Sequence, residues 1–300
     1  MKISTSTIKL FKHFGTKSGM SILANAGFEA IDYGIGELPW NHALFQDAPL
    51  AETAAYYKQI ARFAKEHSLD IFQSHTTFPL KVFEEETDPG LLSCANRQIY
   101  AAAYLECPYI VFHPVLHPDF DNGQNPEACR QINLDFFSAM VPALKDTGVM
   151  LCIENMFRGE NGKPKVFNAC SDAEQLIDLI DTLNAMHGPH FAACLDTGHA
   201  TVVGQNPAAM LRKLGKRTQV LHIHDNDGIL DQHWLPGEGV IDWDDVIRAL
   251  NEIDYSGTFN TEASIYFNKL SQLDVSDTTT AANMCKQLYL LTRSLADRLK

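Results

Sequence analysis

Residues 221–243 read LHIHDNDGILDQHWLPGEGVIDW, and the placement of this stretch decides the fold. Val220, Leu221 and Ile223 interleave with His222 and His224 in a short strand-like run, which passes into an acidic loop containing glycine. A strand that buries its apolar residues and releases His222, His224, Asp225 and Asp227 at its end is not satisfied by packing alone. Its polar end calls for protons, a metal ion or both.

Other apolar runs end in the same manner. Ile71-Phe72-Gln73-Ser74 runs into His75, Tyr109-Ile110-Val111-Phe112 into His113, Leu151-Cys152-Ile153 into Glu154, Ala193-Cys194-Leu195 into Asp196, and Phe259-Asn260-Thr261 into Glu262. If these are parallel strands of one barrel, their polar ends converge at its C-terminal mouth, where such barrels keep their chemistry.

The rest of the chain fits that frame. A first strand is read over 2–6, a helix over 18–26, a second strand over 28–34, and a helix with Tyr56, Ile60 and Phe63 on one side over 51–67. Asp88-Pro89 and Asn125-Pro126 are read as capped starts of helices reaching Glu106 and Gly148, and Ser171-Asp172-Ala173-Glu174 as a capping box. Further helices follow Asn206-Pro207, span 242–253 and span 279–299, so eight strands alternate with helices. Repeated alternation favours a closed (β/α)8 TIM barrel, formed as one domain over residues 1–300, over an open sheet. No G-x-G-x-x-G or P-loop follows a strand, which removes support for a nucleotide fold.

Composition sets the bounds. The 300 residues are 45% hydrophobic and 20% charged, an ordinary soluble composition. No apolar run approaches the roughly 18 residues of a membrane helix, and the N-terminus has no long apolar signal core, so a cytoplasmic protein with no membrane partner is expected. A formal charge of −13 repels phosphodiester backbones and disfavours nucleic acid as a partner. The seven cysteines include no C-x-x-C pair and are read as buried reduced thiols.

Glu154, Asp196, His222 and Glu262, from four strand ends, would offer three carboxylates and one imidazole to a divalent cation. Mixed oxygen and nitrogen donors suit Mn2+, Zn2+, Co2+ or Mg2+, and the lack of thiolates argues against a closed structural zinc site. Singly, a histidine at a strand end is more often a hydrogen-bonded rim residue, and a carboxylate more often a helix cap. Their recurrence around one ring makes the metal site the better account. Asp231, His233 and His199 would extend it to further ions or orient its ligands. His224 is read as structural, and His13, His42, His67, His117, His187 and His190 as surface or packing residues. Gly237-Glu238-Gly239 is read as a tight turn, with a backbone amide that could meet an anion.

The runs IEN (153–155), DTGH (196–199), HIHD (222–225), DQHWLPGEG (231–239) and TE (261–262) resemble the xylose isomerase-like TIM-barrel superfamily, from the third strand to the eighth. That group includes sugar-phosphate isomerases and epimerases, tagatose 3-epimerase-like enzymes, inosose dehydratases and the endonuclease IV branch. The resemblance implies a metal held by Glu154, Asp196, His222 and Glu262, with Glu154 and Glu262 exchanging a proton through an enediolate and His199 as a further catalytic residue. The implied substrate is a small sugar, sugar phosphate or polyol ketone. His75, His113, Trp40, Phe78 and Trp234 are its expected contacts, and the loop 155–170, with Arg158, Glu160, Lys163 and Lys165, its expected lid. Association of identical chains is expected by analogy.

Two rivals stand beside this reading. The endonuclease IV branch uses a trinuclear zinc cluster, and its pattern is matched by His75, His113, Glu154, Asp196, His199, His222, Asp231, His233 and Glu262, which would make the chain a phosphoesterase. The acidic charge and the lack of basic intercalating loops oppose DNA binding. The other rival is a catalytically silent barrel that binds a sugar.

Overall fold

Short apolar runs with a polar last residue become parallel strands because both faces of each run are buried, one by helices and one by the barrel interior. In the computed structural model, which describes residues 1–116, 125–159, 168–263, 266–269 and 276–299, these are β1 (Ile3–Thr5), β2 (Ala30–Gly34), β3 (Asp70–His75), β4 (Tyr109–Phe112), β5 (Met150–Glu154), β6 (Phe191–Asp196), β7 (Thr218–His222) and β8 (Phe259–Thr261). β2 to β7 pair in sequence order, and β1 pairs with β8. The bridges Ser6 to Asp32 and Ile223 to Thr261 join the two sheets into a ring. At the latter seam Ile223 N–H donates to Asn260 O at 2.9 Å and Glu262 N–H to Ile223 O at 2.8 Å. The chain is an α/β TIM barrel.

Strand alternation sorts the core into two parts. Leu151, Ile153, Leu195 and Leu221 belong to the large cluster shared with the helices. Val111, Cys152, Ala192, Cys194 and Val220 form a separate cluster on the opposite strand face. Glu154, Asp196 and His222 lie two residues beyond Cys152, Cys194 and Val220, so they share that inner face and stand above this floor. All seven cysteines are free and buried. Among the described residues, no helix is long and apolar enough to cross a membrane.

Several local expectations are corrected. The helix expected from 125 to 148 is two, Pro126–Ser138 and Val141–Thr147, because Pro142 has no N–H to carry the ladder across the join. Asn125 has a φ of 48° and makes no side-chain cap bond. Asp88 caps nothing. Its Oδ1 accepts from Val82 N and Phe83 N, closing the preceding loop, and Thr87 stands at the N-cap. Asp172 caps the helix Ala173–His187 by accepting from Gln175 N, and Ser171 donates back to Met156 O. An unforeseen helix, Ile8–Phe14, covers the end of β1. Asn206 caps the helix it was expected to start, accepting from Ala209 N, and Asp242, read as the first residue of a helix, stands at its N-cap and accepts from Asp245 N.

Candidate metal centre

The last residues of β5, β6 and β7 and the first beyond β8 deliver Glu154, Asp196, His222 and Glu262 to one place. One ligand atom from each lies within 4.8 Å of the others. Strand register sets this up, since Asp196 pairs directly with His222. His222 Nδ1 lies 3.0 Å from Glu154 Oε1, 3.5 Å from Glu262 Oε2 and 4.0 Å from Asp196 Oδ2. All four residues are buried.

Four further donor groups adjoin or overlap this one among the described residues: Asp32, His75, His222 and Glu262; Glu154, Cys194 and His222; and two that reach beyond these. His75, His113 and Glu154 form the first. His75 Nε2 is 3.0 Å from His113 Nε2, and His113 Nε2 is 3.0 Å from Glu154 Oε2. His75 and His113 share a hydrogen bond, while Glu154 Oε2 has no aligned donor among the described residues. Such a cluster of converging donor atoms fits a cation. His199, His224, Asp231 and His233 form the second group. His233 Nε2 is 3.1 Å from Asp231 Oδ2, and Asp231 Oδ1 and His224 Nδ1 are buried without partners. The oxygen and nitrogen donors of these groups suit a divalent ion.

The loop after β7 folds back because Asp225 gathers it. The Asp225 carboxylate accepts from Asn226 N, Gly237 N, Ile241 N and Trp243 Nε1, while its backbone pairs with that of Trp234. Asp227 closes the tip by accepting from Ile229 N and Leu230 N. Gly239 is obligatory, since a Cβ there would stand 2.1 Å from Asn226 O. The anion that the Gly237 amide meets is thus the chain's own Asp225. This folding sets His233 Nδ1 2.9 Å from Glu262 O and brings Asp231 back to the mouth.

Asp196 also caps the short helix Thr197–Val202, accepting from His199 N. Asn155, named in the sequence only as part of a motif, exchanges two hydrogen bonds with the Asp196 backbone, and its carbonyl lies 3.0 Å from His199 Nδ1. His224, expected to be merely structural, stands in the second donor group, with Nε2 3.0 Å from Asp196 Oδ2 and its ring stacked on His233 at 4.0 Å. Strict alternation from His222 was the signal that placed it. Asp32 escaped notice altogether. It is buried in β2 with Oδ2 3.3 Å from His222 Nε2, and a charged residue inside an apolar strand was the clue.

The expected substrate contacts divide. His75 and His113 lie at the cluster, with the half-exposed Phe78 ring 4.5 Å from that of His113. Trp40 instead lies over Gly90 of the helix Asp88–Tyr104, where an added Cβ would meet its ring at 2.8 Å. Trp234 is half-buried beside His233. Of the expected lid, Glu160, Lys163 and Lys165 fall outside the described residues, as does His117.

The electrostatics are those of an acid–imidazole cluster. Burial would raise the Glu154 carboxyl, but His222 and His113 reverse this and hold it well below the usual carboxylate range. Asp196 behaves alike under His199 and His224. Burial pushes His233 down, and the Asp231 hydrogen bond and charge outweigh it, raising the imidazole to about 9. His199 is raised by Asp196 and Glu154, and His222 by Cys194, Glu262 and Glu154, each against the effect of burial. His75 goes the other way, lowered by burial and by His113.

These shifts give a signed expectation. Groups raised in the fold stabilise it fully below the unfolded imidazole value of about 6.5 and lose that contribution as pH rises through the folded value. The metal-free protein should therefore lose thermal stability as pH rises above about 6.5, the His233 share being lost through about pH 9. Divalent-cation affinity should rise over the same window, because protons compete for the donors. Thermal melts and cation titrations across this range check both signs, and affinity that falls with rising pH would contradict the account.

A family model described as Xylose isomerase-like TIM barrel matches residues 20–271. An uncharacterized protein of Methanocaldococcus jannaschii is 30% identical over 176 residues, 57% of this chain and 56% of its own length. D-psicose 3-epimerase of Enterocloster bolteae is 30% identical over 92 residues, 31% of this chain and 27% of that enzyme. The chain spans about half the length, or less, of these curated relatives. Among solved structures, a D-tagatose 3-epimerase-like protein matches with a TM-score of 0.69 at 23% identity, covering 94% of this chain and 98% of that one. The IolI protein with a bound zinc atom matches with a TM-score of 0.71 at 20% identity, covering 98% of each chain. At these identities the structural likeness is one of fold.

Proposed function

We propose that this chain, which belongs to the Xylose isomerase-like TIM barrel family, is a divalent-metal-dependent isomerase or epimerase of a small sugar, sugar phosphate or related polyol ketone. The observation that carries this reading is the convergence of Glu154 and Glu262, from β5 and β8, on one donor group with Asp196 and His222. The D-psicose 3-epimerase relative and the zinc-bearing structural neighbour support it.

Glu154, Asp196, His222 and Glu262 would hold the ion. A bound divalent cation supplies Lewis acidity that stabilises negative charge on a substrate carbonyl or hydroxyl oxygen. One glutamate takes the proton from the carbon beside the carbonyl, whose bonding electrons move onto the carbonyl oxygen to give an enediolate. The other glutamate returns a proton, and the side of its delivery sets the stereochemical outcome. Phe78, half-exposed beside His113, offers an apolar wall at the entrance, and the buried donors leave little water at the reacting carbon.

Elemental analysis of protein purified without chelator, followed by a screen of ketoses for deuterium uptake from solvent, tests the reading. The expected result is bound Mn2+, Zn2+, Co2+ or Mg2+ and exchange at one carbon of one ketose. Metal-free protein that exchanges no substrate when supplied with these ions would sink it.

A second reading has its own observation. Glu154 belongs to three overlapping donor groups and the His199, His224, Asp231 and His233 group lies beside them, an arrangement that suits more than one ion and hence phosphoester hydrolysis. Three zinc ions per chain, with cleavage of a phosphoester or of abasic DNA, would favour it over the isomerase.

A further inference from the structure

We propose that Asp32 is a positioning residue that holds His222 in the one tautomer able to bind a cation through Nδ1; this rests on the metal-centre reading given above. His222 has two nitrogens with opposite surroundings. Nδ1 faces the carboxylates of Glu154 at 3.0 Å, Glu262 at 3.5 Å and Asp196 at 4.0 Å. A cation among those carboxylates needs the Nδ1 lone pair, so the ring proton must sit on Nε2. Nε2 is buried without a formed hydrogen bond among the described residues, and the acceptor it faces is Asp32 Oδ2 at 3.3 Å.

Two amide donors surround that oxygen, which also lies in a donor group with His75, His222 and Glu262. Gln73 Nε2 donates to Asp32 Oδ2 at 3.3 Å and Asn260 Nδ2 donates to it at 3.4 Å. Asp32, Gln73, Asn260 and His222 are all fully buried, so water does not replace a lost partner. An N–H at the position of Oδ2 would meet two amide donors. An asparagine at 32 must therefore turn its carbonyl oxygen to that position and its NH2 toward the place of Oδ1, which has no partner in the wild type. Asp32→Asn thus keeps the acceptor for His222 Nε2–H, whereas Asp32→Ala removes it from His222 and from the Asn260 amide, while Gln73 Nε2 keeps Leu221 O. Partners of this kind behind a ligating imidazole change metal affinity by about 10- to 100-fold.

The test titrates Co2+ into wild type, Asp32→Asn and Asp32→Ala against a competing chelator and follows the visible absorption of the bound ion. Asp32→Asn is expected within about threefold of wild type, and Asp32→Ala about 10- to 100-fold weaker. A role in charge alone does not produce that split, because both variants lose the charge; a role in packing alone is separated by nitrogen-15 imidazole spectra of the Zn2+-loaded wild type, which place the His222 proton directly. Equal weakening of the two variants, or an Asp32→Ala affinity matching wild type, overturns the proposal. A wild type that binds no Co2+ overturns it together with the metal-centre reading. Should Asp32→Ala not fold, nitrogen-15 imidazole spectra of the Zn2+-loaded wild type decide: a proton on His222 Nε2 supports the assignment and zinc on Nε2 overturns it.

Discussion

Glu154→Gln and Glu262→Gln should each lower solvent-proton exchange at the substrate carbon by about 10^2- to 10^4-fold, the usual span of a positioned acid or base. The two variants should differ in a second readout. Glu154 has no exposed surface and faces His222 and His199 through Oε1 and His113 through Oε2. Its neutral amide would take charge from three donor groups at once, so Glu154→Gln should also lose bound metal. Glu262 stands at the rim with its side chain 10% exposed, 3.5 Å from His222 and 3.8 Å from His75, and belongs to fewer donor groups than Glu154. Glu262→Gln should therefore retain more metal while failing in proton transfer. Exchange measured by NMR in deuterated buffer, beside metal content, separates the two. Wild-type exchange in both variants would remove the enediolate mechanism.

Asp225→Ala should destabilise the fold by about 3–5 kcal/mol, since each buried donor left unpaired costs about 1–3 kcal/mol and the costs do not add fully. The donors are Asn226 N at 2.9 Å, Gly237 N at 3.0 Å, Ile241 N at 3.3 Å and Trp243 Nε1 at 2.9 Å. Between them they span the whole loop that carries Asp231 and His233. Asp225→Asn, which keeps one acceptor, should cost less. Denaturant unfolding of the three proteins measures the difference, and a loss under about 1 kcal/mol for the alanine variant would contradict the hub described for Asp225.

The architecture was legible because strand ends and helix starts carry local signals: a run such as Leu151-Cys152-Ile153 ends in a residue it would not bury without purpose. Glu154, Asp196, His222 and Glu262 could be collected in advance because a barrel sends every strand end to one rim. What escaped depends on partners remote in sequence. Asp32 has meaning only beside His222, 190 positions later in the chain by their numbers. Asp88 looks like a helix cap until Val82 and Phe83 fold back onto it. Trp40, plausible as a wall of the site, is taken up by the absent side chain of Gly90, which no spacing rule announces. The helix break near Met140 was readable from Pro142, and the apolar periodicity hid it.

Glu154 turns one oxygen toward His222 and His199 and the other toward His113. Both neighbourhoods therefore pivot on a single carboxyl carbon. Twisting that group to suit a guest on one side withdraws a donor from the other, so neither compartment can be retuned in isolation. Descendants of this chain that change what they bind would have to renegotiate this one side chain before any other.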